Sequence, residues 1–357
     1  MPQRLTLHTL AENLIRESRA PFTVDDYVTR IQERWRRRIA PQTLNHLKAK
    51  LSNHDYLIEV GDNDFLPFPL ILERVGRIPL VLYPGKMEWE RGLLVPGHRL
   101  VPFVSGELGE GDLTFYDSNG HELPRTRQTF FIEDVIPNFQ YCDERHFPDQ
   151  IKVNQFMPGK STLTVTAWDV RGMFQKEGLE AGDALRVRME DYKNGVFSLH
   201  RYPAEEVRQD RIRLRSLYIA LEGVLRDLSG RKPDQPSRLD KQLLYGLFTL
   251  AERRQAVPAF SLPGFVECLN KMSMVRDDHH GIHLVPAHPI GAEPYTWEVV
   301  EQAPTGCTGS LADIFEDMGL AFTDKEFKAI LYSVMATEEF DIEAVFDPVS
   351  YTHLTLP

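Results

Sequence analysis

Within its first 68 residues the chain changes its apolar period once, from the spacing of a helix to that of a strand, after three separate helical stripes. Leu7, Leu10, Ala11, Leu14 and Ile15 recur at i, i+3, i+4, i+7 and i+8, which predicts one helix with a single buried face. In "APFTVDDYVTRIQERW" Thr23 suits the N-cap of a second helix. Asp25 and Asp26 fall in its positive first turn, and Tyr27, Val28, Ile31 and Trp35 share one side. A third helix opens at Pro41, with Leu44, Leu47 and Leu51 inward and Gln42, Asn45, His46, Lys48 and Lys50 outward. The string "YLIEVGDNDFLP" then alternates Tyr56, Ile58 and Val60, turns over residues 61–64 and resumes at Phe65, a hairpin with turn residues where it needs them. Three helices closed by a hairpin are the layout of a winged helix.

The net charge of -11 disfavours general adhesion to nucleic acid or acidic lipid, but the charge is uneven along the chain. Residues 1–60 carry ten Lys/Arg against seven Asp/Glu, whereas residues 305–347 carry two against ten. The basic excess centres on Arg34, Arg36, Arg37 and Arg38, followed by Lys48 and Lys50. A guanidinium can donate two parallel hydrogen bonds to a phosphate, and each neutralised phosphate releases a counterion. If these arginines continue the second helix, they spread around most of its circumference. The alternative is a solvated surface that pairs with Glu33 or with the acidic C-terminal helices. Asp313, Glu316 and Asp317 could fold back over the patch.

The segments "APFTVDDYV" and "APQTLNHLKAKLSNHDYLIEVGDNDFLP", in that order, resemble the HARE-type helix-turn-helix. That module stands at the front of bacterial polymerase-associated and restriction-associated proteins. The resemblance covers about residues 5–68 and implies a nucleic-acid-binding, transcription- or defence-associated role with the third helix as reader. The arginine run just before that helix departs from the pattern.

Past residue 76 short strands and turns take over. Residues 108–123 and 179–199 share the frame L-x-x-G-D, strand, D, N-G, strand, and two related hairpins of this kind predict a small antiparallel β-barrel. Residues 205–229 then carry Leu214, Leu217, Tyr218, Leu221, Val224, Leu225 and Leu228 on one helical side. "AFSLPGFV" echoes "PFTVDDYV", which suggests a second, shortened winged-helix-like unit over 238–288. Ser310-x-x-Asp313 and Thr323-x-x-Glu326 are capping boxes for two acidic helices. The expected fold is α+β: a winged helix over 1–75, a β-rich barrel-like domain over 76–203 and a helical domain over 204–300. An acidic helical segment follows over 301–347. Residues 349–357 resemble a translated sequencing-library adapter, so 348–357 is expected to be non-native.

Two other groups could bear chemistry. His279, His280 and His283, beside Asp277, Asp278 and His288, are a candidate metal set, but their spacing fits no helical H-E-x-x-H pair, and a polar turn accounts for them better. His98 and Arg99 lie between two apolar runs, where a turn could present them together to an anion, but a plain Pro-Gly turn accounts for them better. No Walker loop, G-x-S-x-G or dinucleotide fingerprint occurs, so no catalytic residue or cofactor is assigned. Cys142, Cys268 and Cys307 lack CxxC spacing, and no stretch has the length of a membrane span. The expectation is a cytoplasmic protein that contacts duplex DNA. Arg36, Arg37 and Arg38 would hold phosphates, Asn45, His46 and Lys48 would read the groove, and Arg34 and Lys50 would belong to the same binding surface. The alternative is a protein-interaction scaffold that uses the winged helix and the acidic helices without touching nucleic acid.

Overall fold

The computed structural model of the chain describes residues 6–35, 37–52, 54–61, 63–142, 148, 150–153, 160–231, 238–253, 257–277 and 281–287. Its first three helices are α1 (Leu7–Glu17), α2 (Val24–Arg34) and α3 (Pro41–Ala49). The stripe expected of α1 is the buried one: Leu10, Ala11, Leu14 and Ile15 enter the core. Thr23 caps α2 through a reciprocal pair of bonds with Asp26, and this holds the exposed Asp26 carboxyl below the usual carboxylate range. Strands β1 (Phe22–Thr23), β2 (Leu57–Gly61) and β3 (Asp64–Pro67) form a sheet ordered β1-β3-β2. The β2–β3 turn contains Asn63 at φ 67, a left-handed conformation that asparagine tolerates better than most residues.

Past Arg34, the last residue of α2, the described arginines of the run do not lie on a helix. α2 ends at Arg34 with Trp35 as its C-cap, and residues 37–40 are non-helical, with Ala40 extended at φ -66 and ψ 140. Pro41 is the reason, because its ring disfavours the α conformation in the residue before it while suiting the first turn of the helix that follows.

The middle of the chain is not a closed barrel. One open sheet has the order β4-β10-β11-β6, from β4 (Leu80–Leu82), β10 (Ala184–Asp191), β11 (Val196–Tyr202) and β6 (Thr114–Tyr116). The other joins β5 (Leu93–Leu94), β9 (Thr162–Asp169) and β7 (Arg125–Phe131), with β8 (Gln150–Lys152) also on β9. Short helices α5 (Lys86–Arg91) and α7 (Arg171–Glu177) connect the two sheets, α4 (Phe68–Val75) leads from β3 to β4, and α6 (Ile132–Val135) follows β7.

The repeated frame survives as turn chemistry. Asp112 accepts from the Gly109 N–H at 2.8 Å, and Asp183 accepts from the Glu180 N–H at 2.9 Å, the same i−3 bond in both copies. Gly120 and Gly195 both take positive φ. Only the second copy is a full hairpin, β10 with β11. In the first, the return strand makes one bridge, Tyr116 with Glu122, before the chain leaves through Pro124 to the other sheet, and β6 instead pairs parallel with β11. The sheet edges therefore never meet.

The remaining described chain is α8 (Ala204–Arg231), α9 (Leu239–Glu252), α10 (Leu262–Val266) and a hairpin of β12 (Met272–Asp277) and β13 (Gly281–Pro286). Ser261 caps α10 as Thr23 caps α2, so the sequence echo is a local one, but α10 is a single turn and no counterpart of α3 follows it. One apolar core runs from Leu10 through Phe68, Leu185 and Leu221 to Leu284, and a smaller one lies under β7 and β9 around Phe130, Val165 and Phe139.

Candidate nucleic-acid interface

Trp35 ends α2 half-buried against the core, which anchors the start of the α2–α3 connection. The connection itself faces outward. Arg37 and Arg38 are exposed, and neither has an ion pair or side-chain hydrogen bond among the described residues. The Arg37 guanidinium stands 6.0 Å from the centre of the Trp35 ring, a loose contact that leaves its donors in water. Arg36 lies outside the described residues.

Directly after this loop, α3 buries Leu47 and half-buries Leu44, as their spacing predicts. That packing turns Asn45 and His46 to solvent, while Lys48 is half-buried. Asn45 and His46 are therefore presented by a short rigid element, within a turn or two of the arginines.

The other predicted contacts divide. Arg34 is exposed but pairs with Glu17 at 3.3 Å, an interaction weak enough at the surface to be exchanged for another anion. Lys50 points elsewhere. It lines an open cleft of about 350 Å³ whose walls also hold His8, Glu12, Arg16, His54, Asp55, Tyr56 and Glu107. Three of those groups are carboxylates, so a polyanion approaching Lys50 meets repulsion that it does not meet at Arg37.

A bonded network that the sequence pattern does not show lines this cleft. Arg16 bridges Glu12 at 2.7 Å and Glu107 at 3.0 Å, and its guanidinium lies 3.9 Å from the centre of the Tyr56 ring, whose hydroxyl donates to Glu107 at 2.8 Å. The Tyr56 N–H donates to His54 Nδ1 at 3.1 Å, which leaves Nε2 to carry the proton that meets Glu12 at 2.9 Å. Burial alone would raise the Glu12 carboxyl, but the hydrogen bonds from His54 and Arg16 outweigh it and hold the group low. Both imidazole nitrogens are thus already engaged, and the cleft offers a joint between units more than a catalytic base. Spacing alone could not have found this network, because Glu107 comes from a distant connection.

His98 and Arg99 are not a displayed pair. The turn that carries them is buried, with His98 at 3% and Arg99 at 6% exposure. Arg99 is held at both ends by Glu88, through Nη2 at 2.6 Å and Nη1 at 3.1 Å, and also donates to the Tyr83, Val95 and Pro96 carbonyls. Burial, then the neighbouring Arg99 charge, depresses His98 to about 3, so the ring is neutral, and its Nδ1 lacks a partner. An anion has no route to either.

In the histidine-rich segment, His279 and His280 lie outside the described residues. His283 is buried on β13, with its Nδ1 3.1 Å from the Gly281 carbonyl. Among the described residues no three His, Cys, Asp or Glu side chains gather as a metal site, and no helix is long and apolar enough to cross a membrane.

No family model, no curated protein and no solved structure matches this chain.

Proposed function

We propose that the chain binds duplex DNA through its N-terminal unit, used as a winged helix, with the α2–α3 loop on the phosphates and α3 toward the groove. One observation carries this reading. An outward loop whose described arginines, Arg37 and Arg38, have no carboxylate partner leads straight into a helix that shows Asn45 and His46 to solvent. Arginine and asparagine serve the two tasks by geometry, since the guanidinium fork fits phosphate oxygens and the carboxamide matches the edge of adenine. The acidic balance of the whole chain, -11, disfavours general adhesion of DNA to the rest of the surface.

The test is a mobility shift of the full chain with duplex DNA at low salt, comparing the unaltered protein with R37E/R38E. Retention is expected for the first and lost for the second. Equal retention by both overturns the proposal, and retention that ignores salt favours a protein-directed module.

A further inference from the structure

Strand β7 lies at the edge of its sheet and pairs with β9 alone, in unbroken register from Arg125 to Phe131. It is the longest edge strand among the described residues. The bonds at its two ends fix which way its backbone points. Ile132 donates to the Ser161 carbonyl and Pro124 accepts from the Asp169 N–H, so the even-numbered residues of β7 bond to β9. Arg125, Arg127, Thr129 and Phe131 therefore aim their N–H and C=O groups away from the sheet, where no described backbone meets them. Their side chains are exposed as well, Phe131 at 43%. Of the usual guards at such an edge, a bulge, a proline, a covering segment or charged side chains, β7 shows only the last among the described residues.

Those charges are polarised along the strand. Arg125 and Arg127 stand at its start, and Glu133 and Asp134 stand just past its end. All four are exposed, and among the described residues none is in an ion pair; Arg125 spends one donor on the Gly111 carbonyl. We propose that β7 is the pairing edge for a second copy of this chain, strand against antiparallel strand across a two-fold axis at Gln128. In that register Arg127 lies opposite Thr129 of the partner subunit, and Arg125 lies opposite Phe131 of the partner subunit. The outward backbone groups of both strands then close about eight hydrogen bonds, and no like charges stand directly opposite each other. The basic start of each strand meets the acidic end of the other, with a guanidinium beside each exposed ring.

Other occupants fit worse. A nucleic acid suits the arginines, but it is repelled by Glu133 and Asp134 and leaves the outward carbonyls without donors. A parallel second copy sets arginine beside arginine. A foreign extended segment can use the backbone edge but has no reason to carry charges of opposite order.

The experiment is sedimentation velocity of the full chain without nucleic acid, from about 1 to about 100 μM. A reversible dimer is expected, and a monomer throughout overturns the proposal. Thr129→Pro removes an outward N–H and no bond to β9, so it should weaken the dimer at least about tenfold while the sheet is kept. Unchanged association in that variant overturns the proposal. Charge reversal decides the matter even where T129P fails to fold. R125E/R127E and E133R/D134R should each weaken self-association at least about tenfold, because each sets like charges together. Mixed in equal amounts, the two should form a heterodimer close to the unaltered affinity, since every strand end again meets its opposite. A mixture no tighter than its components overturns the proposal and points to another surface or to a foreign strand. Association that appears only on adding duplex DNA also overturns it, and points to bridging by nucleic acid.

Discussion

Arg99 and Arg37 both sit in short connections, yet the chain uses them in opposite ways. Around Arg99 the connection is inside the protein: Glu88 takes both ends of the guanidinium, three carbonyls accept from it, and the neutral His98 ring is packed beside it. Around Arg37 the same kind of side chain is exposed, with only the Trp35 ring loosely beneath it. The difference teaches where each charge does its work. A buried guanidinium must be matched before the chain can fold, because the unpaired charge would be left without solvent. An exposed one adds little to stability and is left free for a partner.

The largest test of that contrast is Glu88→Ala, which strands Arg99 and removes the acceptor for the Gly85 and Val95 N–H groups. It should cost about 3–5 kcal/mol in denaturant unfolding. A loss under 1 kcal/mol would mean that Arg99 finds water and the connection is not closed.

An effect confined to acid belongs to His98. Its folded value, about 3, lies below the unfolded value of about 6.5. The neutral ring therefore contributes stability that is complete above about pH 6.5 and is lost progressively as the pH falls toward 3. His98→Leu should flatten the stability–pH curve across that window, measured by urea titrations at several pH values. An unchanged slope would show that protonation of His98 is not what the fold resists.

The smallest change in stability is expected for R37A/R38A, within about 0.5 kcal/mol of the unaltered chain. Its signature lies in binding instead: the slope of log K against log salt should fall by about two, one phosphate contact for each residue. Loss of stability with no change in slope would turn the comparison round and place Arg37 and Arg38 in the scaffold.

What could be read from the sequence is what depends on near neighbours. The stripe of α1, the Thr23 cap, the Leu44 and Leu47 side of α3 and the turn at Asn63 each follow from residues within a few positions, and all are present. The Asp112 and Asp183 turns belong with them. The barrel failed because closure depends on pairings such as β6 with β11 and β4 with β10, between strands far apart in the chain, about which a repeated turn says nothing. Arg99 was misplaced for a related reason, since its partner Glu88 lies beyond any local pattern. Alternation also gave no warning at His283, where Ile282, His283 and Leu284 are buried in succession. The break before α3 was within reach, because Pro41 disfavours a helix that runs on through Ala40.

The residues just after α3 are tied down at several points. Lys241 donates to the His54 carbonyl at 2.8 Å, Arg238 meets Asp55 at 3.4 Å, and Arg16 with Tyr56 grips Glu107. The front of the molecule is thereby splinted to its middle and does not swing as a head on a tether. A double helix held on that front would lie at a set angle to α8, so its footprint and any curvature imposed on it would be the same in every complex.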